Sequence, residues 1–112
     1  MGLFSNTSTR TNSKQKNEAL RPITLRIGAD LSLKITAEVL QKYDFTVLSP
    51  RPDYHEIYAA TNDCEFTFSF IEDFGKTHLT VLAFSEKHPF KIKKNLKSVV
   101  LFLREKLEEY ME

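Results

Sequence analysis

The run Glu65-Phe66-Thr67-Phe68-Ser69-Phe70-Ile71 constrains the fold of this chain more than any other segment. Strict alternation of apolar and polar residues is the period of a strand with one buried and one solvated face. Three phenylalanines on one face have to be covered, because an exposed strand of that kind aggregates. A matching cover follows Pro89. Ile92, Leu96, Val99, Val100, Leu103, Leu107 and Tyr110 recur at helical spacing and form a wide apolar stripe. Pro89 stands where a first-turn proline is tolerated. A strand face and a helix stripe of this kind bury each other.

The remaining elements follow from local chemistry. Ile23-Thr24-Leu25-Arg26-Ile27 alternates as a strand until Gly28 breaks it. Leu31, Ile35, Val39 and Tyr43 recur at every fourth position, and Asp30 precedes them as an N-cap. A hairpin competes over this stretch, because Leu31, Leu33 and Ile35 also alternate. The helix formers of 37–42 favour an amphipathic helix over 31–43. Strand-like runs then occupy 45–49, 54–61, 65–71 and 77–84. Pro50-Arg51-Pro52-Asp53, Asn62-Asp63 and the segment 72–76 separate them as turns.

Short connections between successive strands imply an antiparallel meander. The expected fold is α+β: an antiparallel sheet of about five strands in β-α-β-β-β-β-α order, covered on one face by a long C-terminal helix. Residues 1–20 are polar and lack periodicity, so they are expected to form a flexible tail. Residues 21–112 are expected to form a single domain. The element order is similar to one repeat of the TATA-binding-protein-like fold and to small helix-grip folds. No residue motif accompanies that likeness, so it transfers no site and no activity.

Composition limits function. Sixteen basic and fifteen acidic side chains leave a net charge of +1, so bulk attraction to nucleic acid or to an anionic membrane is not indicated. A single cysteine, Cys64, forbids an internal disulfide and suits a reducing compartment, so a cytoplasmic location is expected. The opening residues lack the basic start and apolar run of a signal peptide, and no run reaches the length of a membrane span.

Catalytic chemistry finds little support. His55, His78 and His88 lie on different runs without metal-ligand spacing. A hairpin turn at Asn62-Asp63 places His55 at the far end of the strand that Cys64 opens, so the two do not form a thiolate pair. The acids Glu72, Asp73, Asp53 and Glu56 sit near turns, where carboxylates are usually solvated. With three glycines the chain lacks a phosphate-cradling loop. Neither a catalytic residue, a metal nor a cofactor is expected.

One feature opposes local physics. The last helix opens with Lys87, His88, Lys91, Lys93, Lys94 and Lys97, and its end carries Glu105, Glu108, Glu109 and Glu112. The helix dipole prefers acids first and bases last. A helix start enriched in lysine suits an anion or an acidic surface. The expected function is therefore a non-enzymatic interaction or adaptor module. Its contact surface would be the exposed sheet and this lysine-rich start, and its partner a protein or a second copy of itself. A nucleic-acid-binding module is the second expectation. A helix-grip-like carrier of a small ligand, with its pocket between sheet and long helix, is the third.

Overall fold

A computed structural model describes residues 8–10, as backbone, and residues 21–112 in full. Most of the expected tail, 1–7 and 11–20, lies outside the described residues. The strands are β1 (Ser8–Arg10), β2 (Ile23–Leu25), β3 (Val47–Arg51), β4 (Glu56–Ala60), β5 (Glu65–Asp73) and β6 (Lys76–Phe84). The helices are α1 (Ala29–Leu40) and α2 (Ile92–Lys106), with short 3-10 turns at Pro52–Tyr54, Pro89–Lys91 and Glu108–Tyr110. The sheet runs β1-β6-β5-β4-β3 and is antiparallel throughout, with β2 sharing the outer side of β6 with β1. The architecture is the small α+β domain that the alternation of 65–71 and the stripe after Pro89 imply.

Both helices pack on one face. Phe66, Phe68 and Phe70 of β5, Leu79, Val81 and Ala83 of β6, and Ile57 and Ala59 of β4 point into that layer and are buried. Ile92, Leu96, Val99, Val100 and Leu103 meet them from α2, and Leu107 from just past its end. Tyr43, Phe45 and Phe102 close one side of the core with ring centroids under 5 Å apart, Tyr43 lying 4.7 Å from Phe45 and 4.9 Å from Phe102.

The stretch 31–43 resolves as a helix that starts and ends earlier than expected, at Ala29 and Leu40, and with a rotated face. α1 begins at Ala29, two residues earlier than the leucine periodicity suggests. Gly28, not Asp30, is its N-cap residue, and no side chain on the helix caps it. Glu72 of β5 supplies the cap instead, accepting a hydrogen bond from the Ala29 amide at 2.7 Å. The buried face consists of Ala29, Ser32, Leu33, Thr36, Ala37 and Leu40, while Leu31 is exposed. Small residues win this face because they let the helix approach the sheet closely, an advantage that hydrophobic periodicity does not register.

Two turns carry non-glycine residues in the left-handed region. His55 (φ 51°) follows the 3-10 turn Pro52–Tyr54, and Phe74 (φ 52°) stands beside Gly75 (φ 80°) in the two-residue β5–β6 turn. Pro50 lies within β3 and does not end it. β3 is an edge strand, where a missing N–H costs no ladder bond on its open side. At the other edge, the chain end adds to β2. The Arg26 amide donates to the Tyr110 carbonyl at 2.7 Å, and the Arg26 guanidinium donates to the Met111 carbonyl at 2.9 Å.

Candidate functional site

α2 starts where β6 ends, and its inward stripe fixes where the lysines go. With Ile92, Leu96 and Val99 buried against the sheet, Lys93, Lys94 and Lys97 project from the opposite side of the helix into solvent. Lys87 and Lys91 are exposed in the connection just before it. Among the described residues none of these five ammonium groups has a carboxylate partner. The first turn of α2 holds no acid.

His88 behaves differently from the lysines. Its ring nitrogen lies 3.6 Å from the Asp63 carboxylate, and its amide donates to Ser85 Oγ at 3.0 Å. Ser85 in turn donates to the Asp63 carbonyl at 2.6 Å. The buried Ser85 hydroxyl therefore ties the lysine-rich connection to the β4–β5 turn. Phe90, in the 3-10 turn Pro89–Lys91 that leads into α2, is 80% exposed, and its ring meets His88 edge-on at 6.2 Å. Sequence reasoning passed over Phe90. Its position just ahead of Ile92, off the inward stripe, was the available signal.

The far end of α2 corrects the charge pattern. The helix stops at Lys106, so Arg104 and Lys106 occupy its last turn beside Glu105. Glu108, Glu109 and Glu112 fall beyond the helix, because the chain turns there to join β2. Bases at the start remain unfavourable to the dipole, whereas the acids mostly lie outside its reach.

The uncovered sheet face is a separate surface. Val47, Tyr58, Thr67, Ile71, His78 and Leu82 lie on it, opposite the helix layer. Tyr58 donates to Glu65 at 2.6 Å, and the Arg51 guanidinium stands 5.6 Å from its ring centre. That hydrogen bond to a carboxylate holds the Tyr58 phenol above its ordinary pKa. The lysines of α2 point away from this face, so the two surfaces expected to act together lie on opposite sides of the molecule.

His55 and Cys64 stay apart, as the turn at Asn62-Asp63 implies. The His55 carbonyl faces the Phe70 amide at 2.9 Å, and its ring meets Asp30 at 3.0 Å. Cys64 is buried at the opposite end of β5, and desolvation pushes its thiol pKa up, away from the reactive thiolate. Among the described residues no group of three or more His, Cys, Asp or Glu is placed to hold a metal ion. No helix among them is long and apolar enough to cross a membrane. Leu96, Val99, Val100 and Leu103 fill the space between sheet and α2, where a helix-grip pocket would lie. Comparisons with protein-family models, curated proteins and solved structures gave no match.

Proposed function

We propose that the chain is a non-enzymatic interaction module that binds an acidic protein surface through the basic corner at the start of α2. The observation behind this reading is the set Lys87, Lys91, Lys93, Lys94 and Lys97, unpaired among the described residues and adjoining the exposed ring of Phe90. Lys93 and Lys97 stand one helical turn apart, as do Lys91 and Lys94, so they repel each other. An acidic surface would relieve that repulsion and satisfy the helix start together. Phe90 adds an apolar anchor of the kind that dominates small interfaces. The exposed sheet is left as a second surface on the opposite side. A cytoplasmic setting belongs to the same reading, since it keeps Cys64 reduced.

Nucleic acid is the second reading, favoured specifically by Phe90, on which a base could stack beside lysines that hold phosphates. The net charge of +1 weighs against it. One titration separates the two. A labelled glutamate-rich peptide and a labelled single-stranded oligonucleotide are titrated with the full chain at about 50 mM salt. The comparison protein carries Lys91→Glu, Lys94→Glu and Lys97→Glu, all at exposed positions. Peptide binding that weakens with salt and disappears in the triple variant supports the proposal. Preferential capture of the oligonucleotide transfers the site to nucleic acid, and binding indifferent to the triple substitution removes it.

A further inference from the structure

We propose that a second copy of this chain docks on the groove between α1 and β3, with the Phe74 tip of one copy seated in the groove of the next. The groove has a volume of about 460 Å³, opens to solvent, and is lined by Leu33, Ala37, Pro50 and Pro52 together with Asp30, Lys34 and Glu38. It exists because the edge strand turns only Leu48 and Pro50 toward the helix layer, and Ala37 opposite them is too short to fill the gap. A cavity of about 150 Å³ already accommodates benzene, so a phenylalanine ring fits with room for its flanking backbone.

The occupant is argued from the hairpin tip. Phe74 is 99% exposed, so its ring packs against nothing in its own fold. It also sits at positive φ, in the first position of a two-residue turn whose chemistry favours asparagine, aspartate or glycine. A bulky residue there opposes the turn without any intramolecular contact to offset it. An intermolecular contact offsets it directly. Of the charges beside the ring, Asp73 precedes Phe74 and finds Lys34 at the groove, whereas Lys76 is already paired with Glu112 of its own copy.

Tip and groove are different surfaces, so each copy gives one and receives one. Such a heterologous contact propagates into chains or closes into a ring. With one aromatic anchor, its Kd is expected on the order of 0.1–1 mM. The inference stands apart from the basic corner of α2, and the Lys91, Lys94 and Lys97 reversals are expected to leave it unchanged.

Sedimentation of the full chain at concentrations up to about 1 mM tests it. The wild-type mass should rise with concentration. Phe74→Asn, which removes the ring but suits the turn, and Pro50→Glu, which puts a carboxylate into the groove at an exposed position, should each remain monomeric. Ala37→Glu is a second blocking variant, and a melting curve verifies that each variant is folded. An equimolar mixture of Phe74→Asn and Pro50→Glu keeps one intact groove and one intact tip, so it should recover a dimer that grows no further. A monomeric wild type at about 1 mM overturns the proposal. So does a Phe74→Asn variant that associates like wild type, or a mixture that stays monomeric. Association lost only in the groove variants would mean that something other than Phe74 occupies the groove.

Discussion

The Glu72 carboxylate accepts a 2.7 Å hydrogen bond from the Ala29 amide, so the strand that leads to the β5–β6 turn also caps the first helix. The contact joins local helix physics to tertiary structure, since no residue of α1 caps itself. Glu72→Ala should lower stability by about 1 kcal/mol, the usual cost of losing an N-cap acceptor. Gly28→Ala tests the same contact from the other side. Its backbone tolerates alanine at φ −69°, but the new Cβ would stand 3.0 Å from Glu72 Oε1. Urea denaturation of both variants and of the double variant should show losses smaller than their sum, because both act on one hydrogen bond.

The core should respond in proportion to burial. Phe68 is fully buried and stacks near Phe66 at 6.2 Å between ring centres. Phe68→Ala should cost about 3–5 kcal/mol, a large share of the stability of a domain this size. Tyr54→Ser, at an exposed 3-10 turn, should stay within about 0.5 kcal/mol of wild type. Equal losses at the two positions would contradict the assignment of the helix-covered face.

These contrasts follow how the chain could be read. Phe66, Phe68 and Phe70 announce their face because period-2 alternation of large side chains has one cheap explanation, and the stripe of α2 is as plain. Of the α1 stripe, Ile35, Val39 and Tyr43 do pack against the core and Leu31 does not, because the helix is rotated toward Ser32, Thr36 and Ala37, which carry little hydrophobic signal. The lysines were legible as a cluster, but their direction depends on which side of α2 the sheet occupies. The α1–β3 groove was illegible, since it arises from side chains too short to meet across elements distant in sequence.

Burial of Cys64 makes stability fall at alkaline pH. Desolvation raises its thiol pKa in the folded protein, so above the ordinary value of 9.0 the unfolded chain loses a proton that the native state retains. The unfolded state then binds fewer protons, and unfolding becomes easier as pH rises from that value toward the folded one. Cys64→Ala should flatten this part of the stability profile, although the raised Tyr58 phenol leaves a residual slope of the same sign. A thiol reagent should label the wild type much faster in denaturant than in buffer. Equal rates would show the thiol to be accessible.

Ser85 should matter to the basic corner without touching a partner. Its buried hydroxyl bridges the Asp63 carbonyl and the His88 amide. Ser85→Ala leaves both groups short of a partner and should cost about 1–3 kcal/mol. It should also weaken capture of a glutamate-rich peptide, because the connection carrying Lys87 and Lys91 loses its tie to the β4–β5 turn. Unchanged capture by a measurably destabilised variant would restrict Ser85 to a structural role.

Phe74 separates stability from association. At φ 52° a bulky side chain strains a turn in which Asn-Gly is strongly preferred. Phe74→Asn should therefore stabilise the monomer, by up to about 1 kcal/mol, while abolishing self-association. Phe74→Ala removes the same ring but gains none of asparagine's tolerance of that conformation, so it should abolish association with little change in stability. Denaturation at low concentration and sedimentation at high concentration read the two effects independently. Opposite signs for Phe74→Asn would identify an aromatic held at the tip against the preference of its own turn. A loss of stability in both variants would instead show that the ring supports the hairpin itself.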